Sequence, residues 1–155
     1  MARIDDLLAE YGESHQNPVN KLLHWICVPL IVWSLLGLLW SIPGPAVFSV
    51  APLLLNWAVL VTALAMIYYL MVSPRLSVGI LLVFIIMLVV VHSIDQAGAR
   101  VWLVTVIVFI LAWVGQFIGH GIEGKRPSFF KDIQFLLIGP LWLLSFVYRK
   151  LGIQY

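Results

Sequence analysis

Between Lys21 and Arg75 the chain carries no charged side chain at all. Soluble domains are about 25% charged, and none leaves so long a stretch without a charge. A bilayer requires one: its hydrocarbon core is about 30 Å thick, and a helix needs about 20 apolar residues to cross it. The rest of the chain keeps the same pattern. Apolar segments cover residues 26–40, 46–72, 76–91, 101–118 and 135–147, and the charges fall in 1–21, Arg75, Asp95, Arg100, 123–132, Arg149 and Lys150. With 63% hydrophobic and 10% charged residues, the 155-residue chain reads as a single integral membrane domain over 1–155. A net charge of +2 without a dense basic patch excludes nucleic acid as a partner. Cys27 is the single cysteine, so no intrachain disulfide forms, and the polar, acidic start does not resemble a signal peptide.

In hydrocarbon the backbone must satisfy its own hydrogen bonds within each segment. The expected fold is therefore all-α, a polytopic membrane helix bundle. The second and fourth apolar segments span readily, the first does so by taking in Leu22 to Trp25, and the third is just long enough, which predicts four transmembrane helices. Ser41-Ile42-Pro43-Gly44-Pro45, Ser73-Pro74 and Gln96-Ala97-Gly98 mark short turns between antiparallel neighbours. The fifth segment covers about 20 Å as a helix and contains Gly139-Pro140, so a short re-entrant or interfacial C-terminal helix is expected. Ile4, Leu7, Leu8 and Tyr11 form one apolar stripe on a charged background, predicting an N-terminal amphipathic helix in the interface plane.

The basic residues orient the chain. A cytoplasmic amino terminus puts Arg3, Lys21, Arg75, Lys125, Arg126 and Lys131 on one side and Arg100 on the other. If the fifth segment returns to its own side, Arg149 and Lys150 join the first group.

This topology gathers polar chemistry at the cytoplasmic end. His15 and His24 flank the start of the first span, His120 and Glu123 the end of the fourth, with Asn17, Asn20 and Gln116 beside them. Asn17-Pro18 reads as an N-cap followed by proline at the first helical position, and Asn20 and His24 then share a face at i, i+4. Imidazoles and a carboxylate on two neighbouring helix ends can hold one metal ion, and two histidines plus a carboxylate with open positions suit non-haem Fe(II). The competing reading is plain: such histidines also cap carbonyls or sit among headgroups. His92 and Asp95 belong to the opposite face, where a local hydrogen bond accounts for them. Cys27 reads as a packing residue, and Trp25, Trp40 and Trp142 as interfacial anchors. The glycines of 119–124 lack P-loop spacing, so nucleotide binding is not expected.

Residues 15–31, HQNPVNKLLHWICVPLI, and 113–144, WVGQFIGHGIEGKRPSFFKDIQFLLIGPLWLL, resemble the two signature regions of a fungal and bacterial family of membrane 2-hydroxy fatty acid dioxygenases. Its yeast member is an endoplasmic-reticulum enzyme of phytosphingosine breakdown. The resemblance rests on His15, Asn20 and His24 in the first region and on Gly119, His120, Glu123, Lys125, Arg126 and Pro127 in the second. It implies Fe(II) held by His15, His24 and His120, with His92 a weaker metal candidate. Asn20 and Glu123 become candidates for catalytic roles, and Lys125 and Arg126 for receiving the substrate carboxylate. The implied reaction is α-oxidation: a long-chain 2-hydroxy fatty acid and dioxygen give the acid one carbon shorter plus carbon dioxide. Its electrons balance without a cosubstrate, because the acid yields four and dioxygen takes four. The acyl chain enters between helices from membrane lipid. A chain ending Gly152-Ile153-Gln154-Tyr155 lacks a di-lysine retrieval signal, so the bacterial inner membrane is expected over the endoplasmic reticulum. Two other classes stay open at this point: a haem-binding electron carrier with His24 and His120 as axial ligands, and a non-catalytic lipid-binding membrane protein.

Overall fold

Prolines and small polar side chains decide where the helices begin. The computed structural model describes residues 4–124 and 129–155, with side chains from 136 onward in the second stretch; its regular structure is helical. Helix α1 (Ile4–Glu13) carries Asp5 and Asp6 in its first turn, where the helix dipole favours acids. Helix α2 (Pro18–Trp40) starts as the Asn17-Pro18 pair predicts: the Asn17 side chain accepts the Val19 N–H at 2.9 Å.

The second apolar segment is not one helix. A short 3-10 helix (Ala46–Val50) and a run of turns precede α3 (Trp57–Val72), whose Asn56 cap accepts the Val59 N–H at 2.9 Å. Pro52 lies in those turns, and proline lacks the N–H that a continuous helix needs there. Sixteen residues give α3 only about 24 Å of length. Among the described residues three helices, not four, are long and apolar enough to cross a membrane: α2, α4 (Pro74–Gln96) and α5 (Val101–Glu123). Helix α4 is capped by Ser73 with Pro74 in its first turn. The turn into α5 uses Gly98 at a φ of 73°, which side chains other than glycine's rarely adopt.

Helix α6 (Phe129–Lys150) also departs from expectation. It is 22 residues long and runs through Gly139-Pro140. Packing on both sides sustains it. Tyr69 donates its hydroxyl to the Leu137 carbonyl at 3.0 Å, beside the turn that Pro140 disturbs, and Gly139 lets α6 approach Tyr11 and Val28 closely.

Helices α2 and α5 lie antiparallel in the closest packing of the bundle. Gly37 meets Thr105, Gly115 meets Cys27 and Gly119 meets Asn20; a Cβ on any of these glycines collides with the facing side chain. Small residues let membrane helices approach in this way, and Cys27 is a buried packing residue, as expected. Trp40 donates its indole N–H to Asp95 at 3.2 Å, so α4 runs parallel to α2. The starts of α2 and α4 and the ends of α3 and α5 therefore share one end of the bundle. Helix α6 covers that end. It touches Tyr69 at the end of α3, Tyr11, Trp25 and Val28, and Tyr148 donates to the Arg75 carbonyl at 3.0 Å. The α1 stripe is buried rather than offered to the interface: Leu8 and Tyr11 join Ile138, Leu141 and Trp142 in one apolar cluster. Leu64, Ile67, Ile86 and Leu111 point outward and are exposed, an apolar belt suited to lipid.

Candidate metal centre

Three chain segments meet at the covered end. His15 follows α1, His24 stands in the second turn of α2 and His120 in the last turn of α5. One ligand nitrogen from each lies within 4.8 Å of the others. The ring centroids are 4.2 Å apart for His15 and His24, 5.1 Å for His24 and His120, and 5.6 Å for His15 and His120. His15 and His24 are buried, at 3% and 2% exposure.

The backbone fixes how two of these rings are protonated. The Nδ1 of His15 is 2.6 Å from the Tyr11 carbonyl oxygen, and the Nδ1 of His24 is 2.9 Å from that of Asn20. A carbonyl only accepts, so each Nδ1 carries the hydrogen, and each neutral ring keeps a bare lone pair on Nε2. Those two Nε2 atoms face each other at 2.9 Å. Two acceptors so placed need a proton or a cation between them. Burial pushes the His15 imidazole down to about 4, which disfavours the proton at neutral pH. A metal cation answers both lone pairs. Metal-bound histidines characteristically donate the other ring N–H to a carbonyl or carboxylate, as both rings do here. Three imidazoles suit Fe(II), Zn(II) or Cu and leave positions open.

Glu123 faces another way. Its Oε1 accepts the Gln16 N–H at 2.9 Å; its Oε2 accepts the Asn17 N–H at 2.9 Å and the Asn20 side-chain amide at 3.0 Å. The carboxylate thus ties the His15 turn and the start of α2 to the end of α5. Asn20 is fully buried in the same latch, its amide also donating to the Ser14 carbonyl at 3.3 Å. Its Oδ1 lies against Gly119 with no hydrogen-bond partner among the described residues.

His92 is not brought to this cluster. It sits at the far end of α4 with its ring 5.7 Å from Trp40, sixteen residues along α2 from His24, or roughly 24 Å at helical rise. Asp95 accepts from Trp40 there, in place of the local bond to His92 that the sequence suggests. Lys125 and Arg126 lie outside the described residues. Two residues that sequence reasoning read as membrane-facing belong to the site instead. Tyr11 stacks on His15 at 4.3 Å, and Trp142, buried to 4%, stands 5.3 Å from both rings. The i, i+4 spacing of Tyr11 and His15 is the one sequence signal that points to the first of these contacts.

Residues 1–74 and 75–151 match the family model described as 2-hydroxy-palmitic acid dioxygenase Mpo1-like. The chain belongs to the Mpo1-like family. It is 29% identical over 148 residues to the 2-hydroxy-palmitic acid dioxygenase MPO1 of Saccharomyces cerevisiae, an alignment covering 94% of this chain and 79% of the yeast protein. No solved structure matches. Among its described residues this Mpo1-like chain has a polar and an apolar cavity along α2 and α6. A polar cleft of about 360 Å³ opens at His15 between Asp5, Gln16, Lys21 and Arg149. An apolar groove of about 180 Å³ runs between α2, α4 and α6, with Trp25, Val32, Phe84 and Leu143 among its walls. Because Lys21 and Arg149 line one cleft, α6 ends on the side of the bundle where α2 begins.

Proposed function

We propose that this chain is an Fe(II)-dependent membrane dioxygenase that converts a long-chain 2-hydroxy fatty acid and dioxygen into the acid one carbon shorter, carbon dioxide and water. One observation carries the reading: two buried imidazoles present bare Nε2 atoms to each other at 2.9 Å, with both tautomers held by backbone carbonyls and His120 alongside. Membership of a family described by a 2-hydroxy-palmitic acid dioxygenase supplies the substrate class. His15, His24 and His120 hold the metal. Iron bound there supplies a site at which dioxygen takes up the four electrons released by the hydroxy acid. The protein's own groups orient and exclude. Tyr11 and Trp142 pack against the His15 ring; the Tyr11 and Asn20 carbonyls keep the proton on Nδ1 and the lone pair on Nε2. Glu123 and Asn20 set the His15 turn against α5, so both act as positioning residues. The basic residues around this end favour a cytoplasmic site.

Metal analysis and turnover test the proposal together. Purified protein carries stoichiometric iron and, under air with 2-hydroxypalmitate and no cosubstrate, releases carbon dioxide and the shortened acid. Iron-loaded protein that yields no product refutes the enzyme. A Soret band replaces it with the haem carrier, and the absence of any stoichiometric metal with the lipid-binding protein.

A further inference from the structure

We propose that the seam between α2 and α6 is the substrate's track. The anionic head lies between Lys21 and Arg149 in the cleft beside His15, and the alkyl tail bends past Phe146 and Trp25 into the apolar groove. The occupant, a long-chain 2-hydroxy acid, rests on the dioxygenase reading; the track rests on the geometry.

The cleft and the groove are neighbours along the same two helices. Lys21 and Trp25 are one turn apart on α2; the first lines the cleft and the second the groove. On α6, Phe146 and Arg149 line the cleft while Leu143 and Val147 line the groove. The Trp25 and Phe146 rings, 6.2 Å apart, mark the junction. Arg149 is held at that junction, its guanidinium donating to Ser145 Oγ at 3.0 Å and lying 4.8 Å from the Phe146 ring centroid. Among the described residues, the charged side chains Asp5, Lys21 and Arg149 line the cleft. Lys21 and Arg149 offer an anion two cationic partners in this cleft, and the head that binds there lies against His15. The groove walls are apolar, and Trp25, Val83 and Val147 are exposed at its mouth, where a tail can enter sideways from the bilayer. An amphiphile with one negative charge and one alkyl chain matches both halves. The carboxylate is thereby assigned to Lys21 and Arg149.

Photo-crosslinking tests this without relying on turnover. The probe is 2-hydroxypalmitate with a mid-chain diazirine, added to the full protein in nanodiscs of zwitterionic lipid. Labels are expected within residues 25–32 and 140–147. Lys21→Ala combined with Arg149→Ala is expected to lower labelling about tenfold or more, as loss of charge-assisted bonds does, whereas Lys21→Arg with Arg149→Lys keeps it. The methyl ester of the probe, which has no anion, is expected to label as weakly as the double alanine variant. Val83→Trp, at the groove mouth, is expected to move the chain-length preference for binding toward shorter acids. Labels on other helices, or a methyl ester that labels as well as the acid, overturn the track. Displacement of the probe by added phosphatidylglycerol, with turnover unchanged, overturns it in favour of a bilayer lipid. Normal turnover with misplaced labels sinks the track alone. Correct labels on iron-loaded protein without turnover sink the dioxygenase and leave the track.

Discussion

Replacing Glu123 tests whether the latch, rather than direct coordination, is what this carboxylate contributes. It accepts three hydrogen bonds, from the Gln16 and Asn17 backbones and the Asn20 amide. A hydrogen bond to a charged group is worth about 1.5–3 kcal/mol, but a donor that water can reach recovers most of that. Gln16 is exposed and Asn17 half-buried, so their losses amount to roughly 0.5–1 kcal/mol each. Asn20 is fully buried and its amide cannot turn to solvent, which adds about 1–3 kcal/mol. Glu123→Ala therefore loosens the His15 turn by about 2–5 kcal/mol. Glu123→Gln keeps an acceptor for part of the set but turns an amide donor toward a donor, and loses about half as much. If about 2 kcal/mol falls on the metal-competent placement of His15, iron affinity drops roughly 30-fold, within the range for residues that orient metal ligands. Competition with a graded chelator reads the affinity, and hydrogen exchange reads the Gln16 and Asn17 amides. Both are expected to change together in each variant. A Glu123→Gln protein that loses iron outright while those amides stay protected makes Glu123 a ligand and refutes the latch. Unchanged affinity and exchange in Glu123→Ala refute it as well.

Replacing His15, His24 or His120 with Ala is expected to remove iron and turnover at normal folded yield, while His92→Ala keeps both; metal content of each purified variant checks this. Gly119→Ala puts a methyl group into the Asn20 side chain and is expected to cost about 1–3 kcal/mol of stability by overpacking, read from thermal unfolding in detergent. Burial holds the His15 imidazole at about 4 in the fold, below the ordinary 6.5 of a histidine. The unfolded chain therefore binds the proton first, and metal-free protein keeps its full stability above pH 6.5. As pH falls from there to about 4 the loss through this group alone is expected to reach roughly 3 kcal/mol, and His15→Ala removes that share of the curve.

Much of this was legible in the sequence, because charge placement and capping are local signals. The Asn17-Pro18 start of α2, the turn at Ser73-Pro74 and the helical class all follow from neighbouring residues. So does the apolar stripe of α1. What the stripe would be buried against does not, since α6 is more than a hundred positions away. Helix α3 came out shorter than its apolar segment because hydropathy does not register that Pro52 denies the helix a donor. Helix α6 came out longer because Tyr69 and α1, both distant in sequence, support the turn around Pro140. At the site, histidines at two helix ends identified the cluster, but the part played by Glu123 depends on which donors face it. The spacing of Glu123 from His120 suits coordination equally well.

The proton on each of two imidazoles is placed by main-chain atoms: the carbonyls of Tyr11 and Asn20, each four residues before its histidine. Substituting the side chain at position 11 or 20 cannot delete that acceptor. Drift in side-chain identity can therefore weaken the packing or the latch while the tautomers persist. Length is different. Inserting or deleting one residue between Asn20 and His24 rotates the ring about 100° around α2 and takes it away from its carbonyl, and a change of length between Tyr11 and His15 shifts that ring, which follows α1, off its carbonyl as well. In this part of the chain spacing is under tighter physical constraint than identity, because the acceptors belong to the main chain.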